Sequence, residues 1–144
     1  MTNLVYAALA VAAGAAATLQ AAMNAGLARA TGLGPALVIN TIVVLLASIG
    51  LWAATGAPMT FLPAGTPWTL YLSGLFGFVI VASLTVVFPN IGAAYAIALL
   101  VGGQCLAALV VDHYGLIGMP REPMTLQRLV GAALVAAGVA VFRM

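Results

Sequence analysis

Residues 35–54 read PALVINTIVVLLASIGLWAA, a run of twenty positions without a charged side chain. A helix needs about 20 apolar residues to cross roughly 30 Å of hydrocarbon, so this segment is predicted to span a membrane. Four further segments have the same character, at roughly 4–27, 68–88, 92–111 and 126–142. The sequence therefore predicts an all-α, polytopic membrane protein, with five transmembrane helices in one domain over residues 1–144.

The composition supports a membrane protein and excludes several other classes. The chain is 65% hydrophobic and only 4% charged, whereas a soluble domain carries about 25% charged residues. The net charge of +2 forms no basic patch, which argues against a nucleic-acid partner. The first apolar run is long and lacks a preceding basic residue, so we expect it to remain as a helix. One cysteine, Cys105, excludes an intrachain disulfide, and no metal or cofactor is predicted.

Glycine and proline mark the expected helix boundaries. Gly32, Gly34 and Pro35 are predicted to separate the first two helices. Pro89 and Asn90 are predicted to form a tight turn between the third and fourth helices, because proline disrupts a helix interior.

Four arginines supply the positive charge that orients a membrane protein, and the predicted topology divides them evenly. We call the side that carries the N-terminus face A, which receives Arg121 and Arg128, whereas face B receives Arg29 and Arg143. An excess of Lys and Arg on the cytoplasmic side normally fixes orientation. Because that excess is close to zero, we predict insertion both ways up and pairing as an antiparallel homodimer. The alternative is that a subtler signal or a partner subunit fixes one orientation.

Uncharged amides are the polar groups expected at depth in the membrane. Gln20 and Asn24 are four residues apart and share one helix face, Asn40 lies in the second helix, and Gln104 lies in the fourth. An amide in hydrocarbon is costly unless it is hydrogen-bonded, so these groups should face inward. They either join helices or line a polar cavity. We predict cavity lining for Gln20, Asn24 and Gln104, and less strongly for Asn40.

Ionisable residues are predicted only near the ends of the spans, which argues against a buried proton-carrying carboxylate. Asp112 and His113 adjoin at the end of the fourth helix. One such pair is a weak sign of catalysis, so a headgroup-level hydrogen bond or a loop clamp is the better interpretation. No phosphate-binding loop, zinc-ligand spacing or nucleophile elbow is present, and we expect no enzyme activity and no catalytic or metal-binding residues.

The fifth helix carries Gly131 and Gly138, which are seven residues apart and lie on one stripe. Small residues let membrane helices approach closely, either within one bundle or between two chains. We favour a dimer interface, because this helix offers little else to a cavity.

Two stretches resemble the small multidrug resistance transporters. Residues 88–96, FPNIGAAYA, resemble the Pro-x-Gly-x-Ala-Tyr-Ala turn of that family, with one extra residue before the glycine. Residues 128–139 resemble its last helix, whose paired glycines form the dimer contact. The resemblance places Tyr95 near the substrate. The first-helix Glu that binds cations and protons in that family has no counterpart, since residues 11–14 read VAAG.

A closer resemblance is to the small five-helix, YdcZ-like members of the drug/metabolite transporter superfamily. It rests on LQAAMNAGL at 19–27, on Gly103 with Gln104, and on DHYGL at 112–116. The resemblance implies inverted-topology five-helix units supplied by two separate chains, and transport by alternating access.

Together these observations predict a multi-pass protein of the inner membrane that transports a small organic solute, a drug or metabolite, with hydrophobic cations among the candidates. Gln20, Asn24, Tyr95 and Gln104 are the predicted substrate-binding residues. The partners are the lipid bilayer, the solute, and a second copy or a related five-helix chain. Two alternatives remain at this stage, a passive channel and a non-transporting subunit of a two-gene transporter.

Overall fold

The computed structural model describes residues 2–58, 60, 63 and 65–142. In this part of the chain it contains five α-helices: α1 (Thr2–Thr31), α2 (Leu33–Thr55), α3 (Ser73–Ile91), α4 (Ala93–Tyr114) and α5 (Leu126–Phe142). One 3-10 helix, Trp68–Leu72, leads directly into α3, and another, Leu116–Gly118, follows α4. The prediction of an all-helical chain with five helices is confirmed, and the first helix is longer than predicted at both ends.

Four of the helices are long and apolar enough to cross a membrane, namely α1, α2, α3 with its 3-10 turn, and α4. Helix α5 has 17 residues. At about 1.5 Å per residue it measures about 26 Å, slightly less than the roughly 30 Å of hydrocarbon in a bilayer. A fifth crossing therefore stays a prediction. Arg143, one of the two arginines assigned to predicted face B, lies outside the described residues.

A single residue, Gly32, separates α1 from α2. Its φ of 90° and ψ of 161° suit glycine, and its carbonyl accepts a hydrogen bond from the N–H of Ala36 at 3.2 Å. The break predicted at Gly32, Gly34 and Pro35 is confirmed at Gly32, while Gly34 and Pro35 lie in the first turn of α2. Proline is tolerated there because the first N–H groups of a helix have no intrahelical partner.

The junction between α3 and α4 has the same form. Gly92 has φ 81° and ψ 153°, and its carbonyl accepts from the N–H of Ala96 at 3.1 Å. Pro89 and Asn90 lie inside α3, so the predicted tight turn at these residues was wrong. The Asn90 side chain donates to the Val86 carbonyl at 2.7 Å, and a proline in the last turn disturbs only the end of a helix.

Residues 1–90 and 91–144 form two compact units. In the first unit α1 and α2 pack together as an antiparallel pair. The buried residues of this unit are Ala21, Asn24, Ala25, Ala36, Leu37, Leu84, Thr85 and Phe88. In α1 and α2 they lie in the half nearer Gly32. Most other apolar side chains are exposed, as a surface that meets lipid requires.

In the second unit α4 and α5 pack against each other, and a charged loop joins them. Arg121 Nε donates to the His113 carbonyl at 3.1 Å, and the N–H of Met124 donates to His113 Nδ1 at 3.3 Å. Arg128 lies 3.3 Å from Asp112 and 3.4 Å from Glu122. These contacts hold the loop against the end of α4, which confirms the loop-clamp interpretation of His113.

Candidate functional site

Three amide side chains meet in the first unit, and we call Gln20, Asn24 and Asn40 the amide cluster. Asn40 Oδ1 accepts a hydrogen bond from Gln20 Nε2 at 3.1 Å and another from Asn24 Nδ2 at 3.2 Å. Asn24 is 6% exposed, whereas Gln20 is exposed and Asn40 is half-buried. One carbonyl oxygen thus joins two donors from the neighbouring helix.

Helix geometry, together with the chain reversal at Gly32, accounts for this meeting. Gln20 and Asn24 are four residues apart and therefore lie on the same face of α1, as predicted. Asn24 and Asn40 are each eight residues from Gly32, so the reversal of the chain at Gly32 brings them to the same height. Asn40 is seven residues into α2, about 10 Å from the start of that helix. In a membrane-spanning α2 this position falls within the hydrocarbon layer.

The amide cluster keeps hydrogen-bonding capacity that the protein does not use. The carbonyl oxygens of Gln20 and Asn24 accept no hydrogen bond from any described residue, and the Asn40 amide nitrogen donates none. No fully buried polar side-chain atom in the described part of the chain lacks a partner. The free atoms of the cluster are therefore accessible to a solute or to water.

A cavity of about 450 Å³ lies on one side of the cluster. Gln20 and Asn40 supply its polar atoms, and most of the remaining wall is apolar. The lining residues are Gln20, Leu37, Asn40, Thr41 and Val44 from α1 and α2, with Gly74, Gly77, Phe78 and Val81 from α3. A methyl group added at Gly74 or Gly77 would meet no atom within 4 Å, so the space beside these glycines is open.

A second cavity, of about 750 Å³, lies between α1 and α2 and shares Gln20, Asn40 and Val44 with the first. Asn24 belongs to this cavity, whose other lining residues are Ala16, Leu19, Met23, Gly26, Leu27, Ile39 and Val43. The amide cluster therefore stands between two spaces that have largely apolar walls. Few convergent polar groups in an apolar cavity are typical of small-molecule sites.

The first unit is almost free of charge. The two acidic residues of the chain, Asp112 and Glu122, both belong to the second unit. Arg29 is the one arginine before residue 91, and it is exposed in the last turn of α1. No group of His, Cys, Asp and Glu that could hold a metal ion exists among the described residues. The amide cluster itself therefore offers only neutral hydrogen-bonding groups.

Asn40 lies at the centre of the amide cluster, a position that the sequence pattern alone did not predict. Its carbonyl organises the cluster, and its side chain borders both cavities. Sequence spacing relates Gln20 to Asn24 but does not relate either of them to Asn40. The feature of the sequence that could have related Asn40 to Asn24 is that both lie eight residues from Gly32, where the chain reverses.

Tyr95 and Gln104 lie in the second unit, on α4. The helix is continuous over this region, and nine residues at 100° each place the two side chains on opposite sides of it. Tyr95 is half-buried, while Gln104 is exposed and forms no side-chain hydrogen bond with a described residue. Their role in binding stays a prediction, and they do not share one side of α4.

A groove of about 310 Å³ lies between α4 and α5, with Asp112 and Arg128 at its charged end. Gly131 lines this groove, and both Gly131 and Gly138 are exposed with open space beside them. A methyl group added at Gly102 would lie 3.5 Å from Val139 Cγ2, so α4 contacts a stripe of α5 next to the two glycines. The Gly131 and Gly138 stripe keeps an open side for another helix.

One family model matches the chain over residues 5–141, and its description is "Putative inner membrane exporter, YdcZ". The match includes all the residues of the amide cluster and of the α4–α5 loop. No curated protein and no solved structure matches the chain significantly.

Proposed function

Because the chain belongs to the YdcZ family of inner membrane exporters, we propose that it carries a small organic solute across the membrane by alternating access. The chain is a multi-pass protein of the inner membrane. The observation that carries the proposal is the amide cluster, which keeps free hydrogen-bonding groups between two largely apolar cavities. We propose no enzymatic step.

The depth and the chemistry of the cluster support a transport site. Amides that serve only to join helices satisfy one another, whereas here two carbonyl oxygens and one amide nitrogen remain unused by the described residues. Each of these groups would be costly in hydrocarbon without a partner. A solute, or water between transport cycles, provides that partner.

The transporting unit in this proposal is an antiparallel homodimer. Nearly even arginine charge on the two faces favours insertion in both orientations. Two copies related by an axis in the membrane plane make an inward-open state and an outward-open state that are equivalent in energy. A solute gradient then biases the exchange between them. The Gly131 and Gly138 stripe is the proposed contact between the two copies.

Counterflow in proteoliposomes tests the transport proposal. A ligand is first selected by its thermal stabilisation of the purified chain, from amphiphilic cations and neutral metabolites. Vesicles preloaded with this ligand should then accumulate the labelled form transiently, and uptake should saturate. Flux that rises linearly with concentration and shows no counterflow would identify a passive channel instead.

Disulfide trapping tests the dimer proposal, in a chain whose Cys105 is first replaced by serine. In an antiparallel pair, Gly131 of one copy contacts Gly138 of the other copy. Gly131→Cys and Gly138→Cys chains should therefore crosslink when mixed, while neither should crosslink with itself. Self-crosslinking of either variant would indicate parallel copies, and a monomer in every mixture would favour a missing partner chain.

A further inference from the structure

We propose that the amide cluster selects an uncharged solute with both a hydrogen-bond donor and an acceptor on a compact apolar body. This inference rests on the proposed transport function and names the class of substrate. It replaces the broad set of drugs, metabolites and hydrophobic cations with one chemical type.

The distribution of charge in the first unit favours a neutral ligand over an ion at the amide cluster. No acidic residue occurs in α1, α2 or α3, so a cation in either cavity would have no counterion in the unit that forms both cavities. Arg29 Nη2 lies about 4.0 Å from the position of a methyl group added at Gly26, at the edge of the larger cavity. Arg29 does not border the smaller cavity, and neither does Gly26, so an anion in the smaller cavity would have no cationic side chain beside it. An unpaired charge at depth is costly, and the free energy favours a neutral ligand.

The cluster demands both kinds of hydrogen-bonding group. Its free carbonyl oxygens on Gln20 and Asn24 require donors, and its free N–H groups, including those of Asn40, require acceptors. A ligand that offers only acceptors leaves the carbonyl oxygens without partners. Sites built from buried polar groups reject such analogues strongly, because the unpaired groups carry the penalty.

The smaller cavity sets the shape of the apolar part. Its volume of about 450 Å³ is bounded by Phe78 and Val81 and by the open surface of Gly74 and Gly77. The open space beside these glycines leaves room for a flat ring, and Gln20 and Asn40 line the same cavity to receive a polar substituent. A larger side chain at Gly77 would fill this space without touching the amides.

Four probes of almost equal shape test the charge and the hydrogen-bonding requirements separately. Nicotinamide is neutral and has a donor and an acceptor, 3-acetylpyridine lacks the donor, 1-methylnicotinamide keeps the amide but is a cation, and nicotinate is an anion. Calorimetric titration of the purified full chain in lipid nanodiscs should show nicotinamide binding at least tenfold more tightly than each of the others. Equal or tighter binding of either ion, or no binding of any probe, would overturn the inference.

Two variants and a control locate the binding. Asn40→Leu should weaken nicotinamide binding at least tenfold, and Gly77→Val should do the same while the cluster stays intact. Ser48→Ala is the matched control. Ser48 lies on the same helix, and its hydroxyl donates only to the Val44 carbonyl of that helix, at 2.8 Å. Binding that is unchanged in both test variants would place the ligand elsewhere and overturn the assignment.

Flux measurements separate this inference from the proposal on which it rests. If nicotinamide binds at the cluster but shows no counterflow, the substrate chemistry is upheld and the transport function fails. If 1-methylnicotinamide shows saturable counterflow and nicotinamide does not, the transport function is upheld and the neutral-solute inference fails.

Discussion

Asn40 shows how much a single side chain contributes in a nearly uncharged membrane protein. Its carbonyl oxygen receives donors from two positions of α1, and it is the group through which Gln20 and Asn24 are joined to α2. Hydrogen bonds between membrane helices contribute about 0.6 kcal/mol each on average. The same residue therefore serves the stability of the helix pair and the proposed binding of a solute.

Replacing Asn40 by leucine should lower stability as well as binding. The change removes two hydrogen bonds and leaves two donors of α1 without a partner, so we expect a loss of about 1–2 kcal/mol. Reversible unfolding in mixed micelles measures it, with Ser48→Ala as the control that should stay near wild type. An Asn40→Leu chain as stable as wild type would show that the cluster does not join the helices.

In the α4–α5 loop, Gly115 is the glycine that leaves the least room for a side chain. It has φ 61°, and an added methyl group would lie 3.2 Å from the Met119 carbonyl oxygen and 3.3 Å from Arg121 Cβ. Gly115→Ala should therefore cost about 1–3 kcal/mol, since backbone strain adds to crowding. Gly118→Ala is the matched control, with φ 77° and open space beside it. Equal losses in the two variants would mean that crowding contributes nothing.

At the scale of helices, the sequence predicted what depends on local pattern. Uncharged runs of twenty residues predicted the helices, and the spacing of Gln20 and Asn24 predicted their common face. The position of Asn40 beside them depends on the chain reversing at Gly32 alone, which local sequence does not determine. Pro89 was misplaced in a turn because the rule that proline ends helices comes mainly from soluble proteins, and membrane helices tolerate it.

The ion pairs that Arg128 of α5 forms with Asp112 and Glu122 can be tested in the same way. Arg128 contacts Asp112 and Glu122, with side-chain exposures of 34%, 43% and 59%. Solvent weakens such pairs, so a double-mutant cycle of Arg128→Gln and Asp112→Asn should give a coupling of about 0.2–1 kcal/mol. Near-zero coupling would leave the packing of α4 against α5 as the main link between the helices. A much larger value would indicate a pair shielded from water.

At the scale of the whole molecule, orientation is the property with the sharpest expectation. A reporter fused to the C-terminus should show wild-type copies in both orientations. Ala30→Lys with Leu33→Lys adds two positive charges beside Arg29, so face B should turn to the cytoplasm and the C-terminus with it. One strict orientation of the wild-type chain would rule out the antiparallel homodimer. Glutamine at the same two positions, Ala30→Gln with Leu33→Gln, controls for effects on insertion other than charge.

The short junctions at Gly32 and Gly92 limit where a water-soluble protease can cleave this protein. At Gly32 and at Gly92 one helix follows the other after a single residue, without a longer loop, and both junctions belong to predicted face B. The α4–α5 connection instead offers Arg121 in an exposed stretch on face A. Trypsin added outside sealed vesicles should therefore cleave at Arg121 only in copies whose face A points outward. The digested fraction then reports how the population is divided.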